Sequence, residues 1–96
     1  MDWKLGFVGA GVMAEVMIAG ILEEGILQPE QIFTSNRRSE RAQELHIRYG
    51  IQTGLSNPEV ATQVDVLVLS VKPQNLAEVL RELSGLITPQ TQVLSI

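Results

Sequence analysis

A chain of 96 residues, 45% apolar and 19% charged, has the composition of one small globular domain and not of a disordered segment. It contains no cysteine, which excludes disulfides, thiolate metal sites and thiol nucleophiles. The net charge of −4 argues against nucleic acid and anionic membrane as partners, and no apolar run reaches the ~20 residues of a bilayer-spanning helix.

The first residues, Met1-Asp2-Trp3-Lys4, lack the cationic stretch and apolar run of a signal peptide, so a cytoplasmic location is expected. Lys4 to Val8 reads as a short buried strand. A helix follows from about Val12 to Glu24, with Met13, Val16, Met17, Ile21 and Leu22 on a broad apolar face and Gly25 as its left-handed end. Pro29 interrupts the next loop, and Gln31 to Ser35 forms a second strand. Ser39 is the expected N-cap of a helix running to Tyr49, closed by Gly50. Ile51 to Thr53 is a weak third strand. Asn57-Pro58-Glu59 has the order of a helix start: a capping amide, a proline at the first helical position and an acid near the positive dipole end. Asp65 to Val71 is apolar without alternation, as suits a parallel strand covered on both faces. Pro73 to Leu83 is a further helix with Leu76, Val79, Leu80 and Leu83 in one stripe, and Gln92 to Ile96 begins a fifth strand.

Alternating strands and helices imply an α/β fold, a doubly wound parallel sheet with helices on both faces. The chain stops within the fifth strand, Val93-Leu94-Ser95-Ile96, from which it is expected to be the N-terminal piece of a longer protein.

Gly9-Ala10-Gly11-Val12-Met13-Ala14 matches G-x-G-x-x-A between a predicted strand and a predicted helix. Gly9 permits the tight turn, Gly11 keeps side-chain bulk away from a diphosphate, and Ala14 lets the helix lie close to the strand. The helix start then directs free N–H groups and the positive dipole end at the phosphates. A dinucleotide is the expected ligand. Where NAD enzymes usually place an acid after the second strand, this chain has Ser35-Asn36-Arg37-Arg38, with Arg41 nearby. Guanidinium forks with hydroxyl and amide groups suit a 2′-phosphate, so NADP is preferred over NAD. Of these, Arg41 is read as structural, and Asn36 and Arg37 as the cofactor contacts. Ser70-Val71-Lys72-Pro73-Gln74 closes the fourth strand beside the crevice where such sheets bind ligands. Lys72 is either a ribose or pyrophosphate contact or a solvated head on a buried stem. Asn57 is either a cap or a ligand contact. His46 has no acidic or nucleophilic partner in view, Glu15 is read as a dipole-favoured acid, and Trp3 and Tyr49 as packing residues. No acid–base or metal constellation is visible.

Taken together, the segments Gly6 to Glu15, Ser35-Asn36-Arg37 and Asp65 to Gln74 resemble pyrroline-5-carboxylate reductase, over essentially all 96 residues. The strand end Val71-Lys72-Pro73-Gln74 is the most diagnostic part, because the glycine motif is shared by many dehydrogenases. The resemblance implies a Rossmann-type NADP-binding domain over residues 1–96, from a reductase that converts the cyclic imine pyrroline-5-carboxylate to proline. It implies that Val8, Gly9, Ala10, Gly11, Val12 and Met13 hold the pyrophosphate. Ser35, Asn36 and Arg37 would face the adenosine ribose and its 2′-phosphate, Asn57 the adenosine side, and Ser70, Val71, Lys72 and Pro73 the nicotinamide side. Val12 departs from a position that is often polar in that family, and Ser70 from a more usual alanine. The family's imine and carboxylate contacts, and its homo-oligomer interface, belong to a helical C-terminal domain, so no catalytic residue is expected here. Two other readings compete: a β-hydroxyacid-type dehydrogenase, whose Gly-Leu-Gly-x-Met-Gly is not matched by Ala10 and Ala14, and a non-catalytic nucleotide sensor.

Overall fold

Leu5, Phe7 and Val8 leave the first strand with no polar face, so both of its sides must be covered. The computed structural model, which describes residues 2–96, covers them with helices. In chain order the elements are β1 (Leu5–Val8), α1 (Val12–Glu23), a 3-10 turn (Pro29–Gln31), β2 (Ile32–Ser35), α2 (Ser39–Tyr49), β3 (Gln52–Leu55), α3 (Asn57–Gln63), β4 (Val66–Leu69), α4 (Pro73–Leu83) and β5 (Gln92–Ser95). All strand pairs are parallel, in the order β3-β2-β1-β4-β5. The predicted doubly wound α/β, Rossmann-type architecture is therefore present.

Because side chains alternate along a strand, the two faces of the sheet carry two separate cores. Leu5, Phe7, Ile32 and Val68 pack with Ala14 and Ile18 of α1, Leu45 of α2, and Leu27 and Ile51 of the connections. Val8, Phe33, Leu67 and Leu69 pack with Val60, Ala61 and Val64, and with Val79 and Leu83 of α4. The chain thus winds outward from β1 over one face, crosses to β4, and continues over the other. Gly6 makes the second face work. A Cβ there would stand 2.5 Å from Val60 Cγ1 and 2.9 Å from Val64 Cγ1, so α3 lies directly on the β1 backbone.

Several expectations are corrected in detail. On α1, Ala14 and Ile18 are fully buried while Met13 and Val16 are each 60% exposed. The helix is apolar almost all round, so periodicity could not place its buried stripe, although Met17, Ile21 and Leu22 of the expected face do pack partly buried against the core. Leu80 of α4 is likewise exposed, although Val79 and Leu83 are buried. β3 runs from Gln52 to Leu55, not from Ile51 to Thr53, because its pairing with β2 shifts register between Phe33 and Ser35. The N-cap of α3 is Ser56, not Asn57: the Ser56 hydroxyl accepts from the Glu59 N–H while the Glu59 carboxylate accepts from the Ser56 N–H. Ser39 is not a cap either, since it lies inside the first turn of α2 with Arg38 at the cap position. Gly25 does close α1 as expected, with Gly25 N donating to Leu22 O and Ile26 N to Ile21 O.

Among the described residues no helix is long and apolar enough to cross a membrane, and no group of side chains could hold a metal ion.

Gly6→Ala should lower unfolding stability by about 1–3 kcal/mol, the usual cost of overpacking. Urea denaturation measures it, and an unchanged midpoint would contradict the close seating of α3 on β1.

Candidate functional site

The helices after β1 and β4 leave the sheet on opposite faces, which opens a crevice between the carboxyl ends of these neighbouring strands. In this protein it is a cleft of about 920 Å³. Val8 to Gly11 form its floor. Ser35 to Arg38 and Arg41 form one wall, Ser70 to Lys72, Asn75 and Glu78 the other, and Leu55 to Asn57 the far rim, with Val79 and Glu82 behind.

The two glycines of the floor are there for different physical reasons. Gly9 has φ +86°, and a Cβ on it would stand 2.4 Å from Ser70 O. Its N–H donates to the buried Ser35 Oγ at 3.1 Å, and Ser70 N donates to Val8 O at 2.9 Å. Gly9 is therefore required by the fold itself. Gly11, by contrast, has extended backbone (φ −88°, ψ −162°) that any residue adopts, and a Cβ on it would meet nothing within 4 Å. Neither packing nor backbone demands a glycine there. Gly11 also caps α1 without a side chain, leaving the first-turn N–H groups for an outside acceptor. An anionic group that approaches the backbone closely is the ligand this arrangement suits.

Around the floor the charges are arranged in two sets. Arg37 and Arg38 are exposed on the cleft wall. Arg41 is instead committed to the protein: its Nε donates to Ala10 O at 3.0 Å, one terminal nitrogen to Gly11 O at 3.3 Å, and the other pairs with Glu15 at 2.8 Å and with Glu44. Glu15 in turn accepts from Tyr49 Oη at 2.6 Å and from Arg48 at 2.5 Å. The Tyr49 hydrogen bond, opposed by partial desolvation and helped by both arginines, brings the Glu15 carboxyl from an ordinary 4.5 to about 2. Sequence reasoning placed Glu15 as a dipole-favoured acid and Tyr49 as packing. The two are each other's partners across about thirty residues, Glu15 on α1 and Tyr49 with Arg41 and Arg48 on α2, where no local pattern could indicate the pairing.

The model of the family described as NADP oxidoreductase coenzyme F420-dependent matches residues 4–96. The chain belongs to that family. It is 46% identical over 76 residues to pyrroline-5-carboxylate reductase 2 of Bacillus subtilis, a stretch covering 78% of this chain and 27% of that protein. A pyrroline-5-carboxylate reductase structure from Coxiella burnetii superimposes with a TM-score of 0.92 at 28% identity, covering all of this chain and 36% of that one. A Plasmodium falciparum pyrroline carboxylate reductase with NADP bound gives a TM-score of 0.82 at 26% identity, over 99% of this chain and 33% of the other. The resemblance drawn from the motifs thus holds for the relatives found. The chain spans between about a quarter and just over a third of their lengths. The family is one of nucleotide-dependent oxidoreductases.

Of the residues singled out in the sequence, Val8, Gly9, Ala10, Gly11, Ser35, Asn36, Arg37, Asn57, Ser70, Val71 and Lys72 come together on the cleft, while Val12, Met13 and Pro73 lie outside its lining. Arg38 and Arg41 of the arginine-bearing turn line it too, and Ser56, Asn75, Glu78 and Glu82 line it without having been singled out. Asn36 uses Oδ1 to accept from Thr34 Oγ1 and Gly54 N, both at 2.9 Å, which leaves Nδ2 as the end available to a ligand. Asn57 Nδ2 donates to Glu82 Oε1 at 2.9 Å. His46 is exposed, with Nδ1 at 2.9 Å from Ile51 O, and sits outside the cleft.

The lowered Glu15 pKa has a definite consequence for acid stability. A carboxyl whose folded-state pKa lies below its unfolded value contributes stability above about pH 4.5 and loses it as pH falls toward about 2. Glu15→Gln should cost about 1–2 kcal/mol at pH 7. It should also flatten the pH dependence of unfolding between those two values. An unchanged acid limb in urea titrations at several pH values would refute the assignment.

Proposed function

We propose that this chain is the NADP-binding domain, residues 1–96, of a longer reductase that converts pyrroline-5-carboxylate to proline. The observation that carries the reading is Gly11, a residue that neither fold nor packing requires, at the mouth of a helix N-terminus facing the cleft. The names of the relatives supply the substrate, since the cleft itself speaks only to a dinucleotide.

In this reading the backbone from Val8 to Met13 holds the pyrophosphate, with α1 directing its N–H groups at it. Asn36 Nδ2 and the Arg37 guanidinium take the 2′-phosphate, and Ser35 supports them by fixing the Gly9 turn. Asn57 stands on the adenosine side, and Ser70, Val71, Lys72 and Pro73 on the nicotinamide side. The bound dihydronicotinamide supplies the hydride. This chain's own residues contribute position: they hold one face of the ring toward the place where an imine carbon must come. The imine and carboxylate contacts, and an interface for a homo-oligomer in the cytoplasm, belong to the rest of the longer protein.

Asn36 and Arg37 carry the preference for NADP, with Arg38 adding to the positive charge beside them. No carboxylate occupies the end of β2 to accept from ribose hydroxyls, while two exposed guanidinium groups stand there, in a chain of net charge −4.

Gly11→Val should leave the unfolding midpoint nearly unchanged, because its backbone is extended and no neighbour opposes a side chain. It should abolish binding of NADPH and NADH alike. Retained affinity in a fluorescence titration would show that the cradle lies elsewhere.

Arg37→Ala should weaken NADPH by about tenfold, the value of one charge-assisted hydrogen bond, and leave NADH nearly unaffected. Equal or tighter NADH binding by the unmodified protein would overturn the NADP preference.

A further inference from the structure

Arg41 was set apart in the sequence from the cofactor contacts, and the structure gives it a more particular place than a solvated helix start. Its guanidinium reaches across from α2 to two successive carbonyls of the glycine turn, Ala10 O at 3.0 Å and Gly11 O at 3.3 Å. In a trans peptide unit the C=O and the following N–H point in opposite directions, so holding Ala10 O fixes the Gly11 N–H. The contact to Gly11 O reinforces the Val12 N–H, whose plane the Glu15 N–H also holds through Gly11 O at 3.0 Å. Those are the donors at the mouth of α1. A guanidinium on the carbonyl side also polarises both amides, which makes each N–H a stronger donor.

We propose that Arg41 is a positioning residue for the diphosphate cradle, setting the peptide planes of the Ala10–Gly11–Val12 turn while Glu15 sets Arg41. The charge balance supports this role over a direct phosphate contact. Glu15 and Glu44 both pair with the same terminal nitrogen of Arg41, so its positive charge is already compensated within the protein, unlike that of Arg37 or Arg38. Glu15 is held from its other side by Tyr49 and Arg48, so the brace is tied to α2 at both ends. The fork geometry matters: a guanidinium can engage two carbonyls and a carboxylate at once, and an ammonium on a flexible stem cannot do so in a fixed plane.

This proposal rests on the cofactor reading above, and the test separates the two. Dissociation constants for NADPH and NADH are measured on the unmodified protein, Arg41→Ala and Arg41→Lys, at temperatures well below each unfolding midpoint. Both variants are expected to lose about tenfold for both nucleotides, by the same factor, so that the NADPH-to-NADH ratio is preserved. A simple tie between α1 and α2 would be restored by lysine, which still pairs with Glu15. Recovered affinity in Arg41→Lys therefore overturns the brace. A loss confined to NADPH overturns it as well, by making Arg41 a ligand of the 2′-phosphate. Should Arg41→Ala fail to fold, Arg41→Lys decides alone. Unmodified protein that binds neither nucleotide overturns the cofactor reading and this proposal together. Normal binding with unaffected variants overturns this proposal only.

Discussion

The Ser70 carbonyl lies 2.4 Å from the place a Cβ on residue 9 would occupy, and the cleft depends on that approach. It lets the turn after β1 settle against the end of β4, where Ser70 N meets Val8 O. With any side chain at position 9 the turn would have to lift from the sheet, because backbone atoms cannot yield as a flexible side chain can. The donors of α1 would then no longer face the crevice between the two strands. Ser35 reinforces the same geometry from β2 by accepting the Gly9 N–H, so three neighbouring strands meet at one peptide unit. A parallel sheet makes this possible, since it brings the carboxyl ends of β1, β2 and β4 to one side.

Around that point the molecule divides its labour between two faces. α1 and α2 cover one and are joined by the Glu15, Arg41, Arg48 and Tyr49 network. α3 and α4 cover the other through aliphatic packing, with α3 pressed on β1 at Gly6. The polar network lies beside the cradle, and the tightest apolar contacts lie behind it. This suits a site that must present fixed donors to an anion while its scaffold stays rigid. The cationic groups follow the same logic. Arg41 is neutralised by Glu15 and Glu44, so Arg37 and Arg38 are the cations that stand exposed on one wall of the cleft in a chain of net charge −4. Exposed cations on one wall make the field of the cleft uneven, which suits an anionic group on that side.

What could be read from the residues alone follows from short-range physics. Glycine at positions 9 and 11, the apolar runs at Leu5 to Val8 and Val66 to Leu69, and the prolines at 58 and 73 each constrain a few neighbouring dihedrals. These are enough to specify strand, turn and helix in sequence, and hence the winding of the sheet. The arginine-bearing turn after β2 and the Val-Lys-Pro-Gln end of β4 were visible for the same reason, because each lies within a single turn. The stripe on α1 was not. Its residues are apolar on nearly every side, so a periodic pattern cannot tell Ala14 and Ile18, which are buried, from Met13 and Val16, which are exposed.

Sequence by itself determined the α/β winding, the glycine turn between β1 and α1, and the resemblance to a family of nucleotide-dependent reductases. Only the tertiary structure decided why each glycine is there. One is forced by a carbonyl some sixty residues away in the chain, and the other faces open space. It also decided that Ser56, with its hydroxyl within reach of the Glu59 N–H, caps α3 in place of Asn57. And it decided that Arg41 turns inward to the cradle while Arg37 stays on the cleft wall. Contacts between residues distant in the chain depend on how elements pack, and local pattern carries no record of that packing.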